Sequence, residues 1–161
     1  MAREPVFYSF HYANDVFRVQ QVRNMGAVDG NEPVSPNEWE QVKRTGDAAV
    51  ERWIDENLKY KRCVIVLIGS ETANRPWVKH EIKRAWELKK GLFGIYIHNL
   101  KCPRTGTCSK GRNPFLNWDI GNQSMASLVT CYDPVSWDAY GEISRNLATW
   151  VSQAIEQAKY R

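Results

Sequence analysis

The chain reads as a doubly wound α/β domain, a mainly parallel sheet flanked by helices. Three observations predict this. Cys63–Ile68 is a continuously apolar, β-branched run bounded by Lys61-Arg62 and Gly69-Ser70, the pattern of a strand covered on both faces. Stretches of helical apolar spacing lie on either side of it, and strand-like runs alternate with them rather than clustering. At 161 residues the chain has the size of one domain, which we read as spanning 1–161.

The elements follow in order. Pro5–Phe10 reads as the first strand, and Asp15 to Met25 has Val16, Val19 and Val22 at helical spacing, with Asp15 placed to cap the helix. Gly26 to Val34 is a Gly- and Pro-rich connection. Ser35-Pro36-Asn37-Glu38 has a capping-box pattern with Pro at the first helical position. The helix starting there is expected to continue, bent at Gly46, through Ala49, Val50, Trp53, Ile54 and Leu58. After the central strand, Pro76 to Lys90 turns helical, with Asn74 as cap and Gly91 as stop, and Leu92–Ile97 is the next strand. Asn99 to Asn117 has no usable periodicity, Ser127 to Tyr132 is the expected last strand, and the final helix runs from about Glu142 to Tyr160. Ile143, Leu147, Trp150, Val151 and Ile155 form its buried stripe.

Composition narrows the function classes. With 43% hydrophobic and 25% charged residues the chain is an ordinary globular protein rather than a disordered or fibrous one. Its longest apolar run is far shorter than the roughly 20 residues needed to span a bilayer, and no signal-peptide core precedes it, so a cytoplasmic protein without membrane association is expected. A net charge of +4 does not demand nucleic acid as a partner, and none is expected. Cys63, Cys102, Cys108 and Cys131 show no CxxC spacing, which predicts neither disulfides nor zinc. Seven tryptophans, several beside polar residues, are candidates to line a cleft.

Doubly wound sheets bind ligands beyond the carboxyl ends of their strands, which directs the search to Ser9–Tyr12, Gly69–Trp77 and His98–Phe115. No GxGxxG follows the first strand and no GxxxxGK[ST] occurs, so neither Rossmann-type dinucleotide binding nor P-loop hydrolysis is supported. A phosphoreceiver would need acidic residues beyond the first and central strands, where this chain has Ser9-Phe10-His11 and Gly69-Ser70. A flavodoxin-type phosphate loop is missing as well.

Glu81 is the strongest local signal. At helical spacing it shares an arc with Trp77, Val78, Ala85 and Leu88, whereas Lys79, His80, Lys83, Arg84 and Glu87 lie on the other side. Burying an unpaired ion there is costly, and an active-site cleft is one place where function offsets that cost. The alternative is a glutamate at the edge of the stripe, paired with a nearby Lys or Arg. His11, flanked by Phe10 and Tyr12, either stacks on a ligand from the strand end or belongs to an ordinary loop. Trp77 is either core or pocket wall. His80 and His98 lack a second ligand at metal spacing, so no metal is assigned.

These residues also carry a resemblance. Ser9-Phe-His-Tyr12 with Asp15 and Phe17-Arg-Val19, Trp39-Glu40 with Lys43 and Asp47, Val66-Leu-Ile-Gly-Ser70, Asn74-Arg75, Trp77-Val-Lys-His-Glu-Ile82 and Ser109-Lys-Gly-Arg-Asn-Pro-Phe115 together resemble the TIR-like proteins of the antiphage Thoeris system, the ThsB type. The order and spacing of the segments are specific, and the similarity extends to Phe115. It implies a TIR/flavodoxin-like fold and an enzyme that takes NAD as substrate, without a further cofactor, and cleaves its nicotinamide glycosidic bond. The ADP-ribosyl group would then become a signal nucleotide, a cyclic ADP-ribose isomer or in another branch a histidine conjugate, which acts on a separate effector.

A phage-derived trigger and self-association belong to the same expectation. Ser70, Trp77 and Glu81 match the Ser, Trp and catalytic Glu of the TIR helix that follows the central strand. The resemblance thus makes Glu81 the catalytic residue and Ser9, Phe10, His11, Tyr12, Arg18, Ser70, Trp77 and Asn113 candidates for binding substrate, with Arg18, Lys110 or Arg112 at the pyrophosphate. One carboxylate suffices chemically, because the nicotinamide ring nitrogen is already cationic and needs no general acid to depart, so only the oxocarbenium-like ribose needs steadying. The rival expectation is a noncatalytic TIR module that works by assembly, since a fold does not fix a function.

Overall fold

Five parallel strands form the central sheet of the computed structural model, which describes residues 3–30 and 41–161. In chain order they are β1 (Pro5–Ser9), β2 (Asp29–Gly30), β3 (Cys63–Ile68), β4 (Gly91–Tyr96) and β5 (Cys131–Tyr132), and across the sheet they run β2-β1-β3-β4-β5. This is the order of the flavodoxin-like doubly wound fold. Helices α1 (Tyr12–Arg23), α2 (Asp47–Leu58), α3 (Pro76–Glu87) and α4 (Ala139–Ala158) cover it.

Alternation along the strands divides the core into two layers. Val6, Tyr8, Ile65, Leu67, Phe93 and Ile95 pack with Val19 and Val22 of α1 and Ile143, Leu147 and Val151 of α4. Phe7, Val64, Val66 and Ile68 face the other way, against Val50 and Ile54 of α2 and Val78, Ile82 and Ala85 of α3. Every residue of β3 is therefore buried, which is why its sequence is an unbroken apolar run.

Several boundaries differ from the sequence reading, each for a local reason. Asp15 lies inside the first turn of α1, and the cap position falls to His11, without a side-chain bond. Residues 41–44 are helical, but Gly46, at φ 99°, separates them from α2, so the expected bend is a break. The capping box at Ser35–Glu38 lies outside the described residues. Arg75, not Asn74, stands at the cap position of α3. Gly91 opens β4 rather than stopping α3, because Lys89 takes the left-handed turn at φ 56°.

The expected last strand splits. Met125–Leu128 forms one helical turn capped by Ser124, whose Oγ accepts from the Ala126 N–H at 3.3 Å, and only Cys131–Tyr132 pairs with β4. The Gly-rich connection contains β2, and Asp119–Ile120 pairs antiparallel with Gln123–Ser124. The cysteines are free thiols. Among the described tryptophans, Trp150 stacks on Tyr132 at 4.1 Å and Trp53, Trp77, Trp86 and Trp118 pack on the second layer, whereas Trp137 is 84% exposed. No helix among the described residues is long and apolar enough to cross a membrane.

The turn after β3 admits no side chain at Gly69. A Cβ there would lie 2.1 Å from Asp15 Oδ2, so the carboxylate packs directly on the glycine backbone. Gly69→Ala is expected to destabilise the fold by about 3 kcal/mol or more, measured by urea unfolding, because a buried ion pair must shift to make room.

Candidate active site

α1 leaves β1 on one face of the sheet and α3 leaves β3 on the other, so the carboxyl ends of these neighbouring strands flank the topological switch point. Ser9 ends β1, and Gly69 and Ser70 follow β3.

α3 buries Val78, Glu81, Ile82 and Ala85, one stripe at helical spacing, and aims Glu81 at the end of β1. Pleating explains why Ser9 meets it: Phe7 and Ser9 point to the α3 side, Val6 and Tyr8 away. Ser9 Oγ donates to Glu81 Oε1 at 2.7 Å across 72 residues of chain. Glu81 is 7% exposed, and among the described residues no cation pairs with it. The edge glutamate paired with a Lys or Arg is thus not what the fold builds. Burial raises the carboxyl to about 8, and the single Ser9 bond only partly opposes this, so at neutral pH the free protein holds mostly the neutral acid.

Removing the Ser9 donor isolates its effect. Ser9→Ala is expected to raise the Glu81 pKa further and to move the alkaline-going rise of kcat/KM to higher pH, readable in a pH–rate profile. An unmoved profile would mean that the bond does not tune the carboxyl.

The other candidates divide into those near this corner and those engaged elsewhere. Phe10 is half-buried and packs on the α1 layer. His11, at the cap of α1, has a buried Nδ1 without a partner; burial, aided by Arg75, lowers its pKa, which leaves a neutral ring at the strand end. Tyr12 begins α1, but its side chain lies outside the described residues. Ser70 is exposed beside the turn. Trp77, one helical turn before Glu81, is half-buried with the Lys43 ammonium 5.9 Å from its ring centroid.

The Ser109–Phe115 segment crosses the same turn. A Cβ on Gly111 would lie 2.0 Å from Gly69 O, so this loop rests on the end of β3. Within it Asn113 caps the 3-10 helix Pro114–Asn117 by accepting from the Phe115 N–H at 2.9 Å. Lys110 pairs with Asp133 at 2.9 Å and covers the Tyr96 ring at 4.5 Å, and Arg112 is exposed.

Arg18, expected at the pyrophosphate, is instead 2% exposed and structural. It pairs with Asp15 at 3.1 Å and donates to Leu100 O at 2.9 Å and Gly106 O at 2.8 Å, strapping α1 to the loop beyond β4. A carboxylate and a guanidinium three residues apart on the inner side of an amphipathic helix signal this pair in the sequence, and the structure corrects the cap expectation for Asp15. Among the described residues no three His, Cys, Asp or Glu gather as a metal site.

Sheet order and site together place the chain among TIR/flavodoxin-like α/β domains. The family described as "Thoeris protein ThsB, TIR-like domain" matches residues 7–102. A relative from Bacillus cereus (strain MSX-D12), named "Putative cyclic ADP-D-ribose synthase ThsB1", is 39% identical over 146 residues, covering 86% of this chain and 76% of the relative. The chain belongs to the ThsB TIR-like family of the Thoeris system.

Proposed function

We propose that this protein is a TIR-domain enzyme of antiphage defence that cleaves the nicotinamide glycosidic bond of NAD and converts the ADP-ribosyl group into a signal nucleotide, in the first instance a cyclic ADP-ribose. The observation that carries the reading is Glu81, a carboxyl buried at the switch point with one hydroxyl donor and, among the described residues, no cation. The relative's name, "Putative cyclic ADP-D-ribose synthase ThsB1", supports the same chemistry.

Physical chemistry connects the carboxyl to the substrate. Glu81 lacks a positive partner, and the nicotinamide ribosyl group of NAD brings one, which favours the ionised form once substrate is bound. As the bond breaks, nicotinamide takes the electron pair and leaves neutral, while positive charge moves onto the ribose C1′ and its ring oxygen. A carboxylate in a desolvated corner stabilises that charge far better than water does. Capture of C1′ by the adenine of the same molecule gives the cyclic product; capture by water gives ADP-ribose. Ser9 orients the acid, and Phe10, His11, Tyr12, Ser70, Trp77 and Asn113 are the groups we assign to holding NAD. The product diffuses to a separate effector, and a phage component triggers the reaction.

The test follows nicotinamide and ADP-ribose-derived products by chromatography in extracts of infected cells carrying either the natural chain or Glu81→Gln. Product from the natural chain alone is expected. Equal product from both forms, or none from either, would favour the scaffold reading of the TIR fold.

A further inference from the structure

The end of the sheet opposite Glu81 carries a cleft of ≈ 350 Å³ between the starts of β3 and β4 and the end of α4. Its cations are Lys61, Arg62, Lys89, Lys90 and Lys159, and its apolar wall is Leu88, Ile155 and Ala158. The volume falls at the lower end of the about 300–1,000 Å³ of small-molecule sites.

Three helices end here, and each presents about half a negative charge that attracts cations. That accounts for one or two positive side chains, not five. The neutralising carboxylates are few and loosely held: Glu4 meets Arg62 at 2.8 Å and Glu156 meets Lys159 at 3.0 Å, both as exposed pairs that contribute little. Lys61 and Lys89 form no ion pair among the described residues. Lys90 is half-buried, yet among the described residues its ammonium donates only to Lys59 O, at 3.4 Å. On the flank, Arg161 donates to Lys90 O and lies 4.2 Å from the Trp86 ring, which fixes the Lys90 backbone and leaves the Arg161 Nε buried without a partner.

We propose that this cleft is a second ligand site, separate from the one at Glu81, which binds a nucleoside di- or triphosphate. The phosphates would meet Lys61, Arg62, Lys89 and Lys90, and the nucleoside would cover the apolar wall. Five cations line the cleft and only Arg62 and Lys159 meet carboxylates among the described residues, in exposed pairs, which calls for a multiply charged ligand, and Leu88, Ile155 and Ala158 offer a bare inorganic anion nothing. This site does not depend on the NAD reading, because it shares no residue with the Glu81 corner.

Calorimetric titration of the full chain with ATP and with inorganic tripolyphosphate tests it. ATP is expected to bind one saturable site, more tightly than tripolyphosphate and more weakly as salt rises. The doubly charge-reversed Lys61→Glu/Lys89→Glu chain should lose at least about tenfold in affinity, and Lys61→Arg/Lys89→Arg should retain it. Should the charge reversal disturb folding, seen by circular dichroism, Lys61→Ala alone is expected to weaken ATP about threefold. No saturable binding, an affinity indifferent to these changes, or tripolyphosphate binding as tightly as ATP would overturn the proposal.

Discussion

Glu81→Gln is expected to lower NAD cleavage by at least about a hundredfold and, at the same time, to make the folded chain more stable at neutral pH. The catalytic loss follows from removing a preorganised negative charge, worth about 3 kcal/mol in comparable sites. The stability gain follows from burial. The Glu81 carboxyl is raised from its ordinary 4.5 to about 8 in the folded chain, so the unfolded chain releases its proton first. Stability from this group is therefore fully present below pH 4.5 and declines as pH rises toward 8. At pH 7 the cost is about 3 kcal/mol, and glutamine, which never ionises, avoids it while still accepting the Ser9 hydroxyl.

Thermal unfolding of the two forms across this range should give curves that converge near pH 4 and separate by roughly 5–10 °C at pH 7. Turnover lost while stability is gained separates loss of the charge itself from a disturbed fold, which would lower both. The same titration predicts that kcat/KM for NAD climbs as pH passes through about 8, where the free protein acquires its carboxylate.

The central strand and the helix after it were legible because their signals are local and strong. Cys63–Ile68 is the strand its apolar run predicts, and α3 buries the stripe that its spacing defines, Glu81 included. What the sequence concealed depends on partners far along the chain. β2 and β5 have two paired residues each, too few for a period-2 pattern, and both exist because a long neighbour offers a ladder to complete. Gly91 resembles a helix stop until Lys89 is found to make the turn. At the site, helix periodicity placed Glu81 on the apolar arc, but nothing within ten residues revealed that Ser9, on a different strand, would be its partner. The family resemblance supplied the group of residues, and the fold separated them: Ser9 and His11 stand at the switch point, whereas Arg18 is turned inward by a carboxylate one helical turn away.

Arg18→Met should therefore act on folding rather than on substrate affinity, at a cost of about 3–5 kcal/mol. The substitution preserves most of the side chain's length but leaves Asp15 fully buried without its cation, strips Leu100 O of its side-chain donor and leaves Gly106 O with the Cys102 N–H alone. Asp15 already titrates above its ordinary value, since burial outweighs the attraction of Arg18, and losing Arg18 must raise it further. The penalty should accordingly grow with pH, small near pH 4 where the acid can stay protonated and large near pH 8. Urea unfolding at these two pH values measures it.

The double change Asp15→Asn/Arg18→Met should recover part of the loss, because it replaces a stranded charge with a neutral amide. A pyrophosphate ligand would behave in the opposite manner: Arg18→Met would raise KM for NAD with stability intact, and adding Asp15→Asn would restore nothing. Lys110→Ala supplies the comparison, since its pair with Asp133 is exposed and its loss should cost no more than about 1 kcal/mol. The contrast between the two cations, similar in charge and different in surroundings, measures how far burial alone decides which basic residue holds the fold and which is left for solvent or ligand.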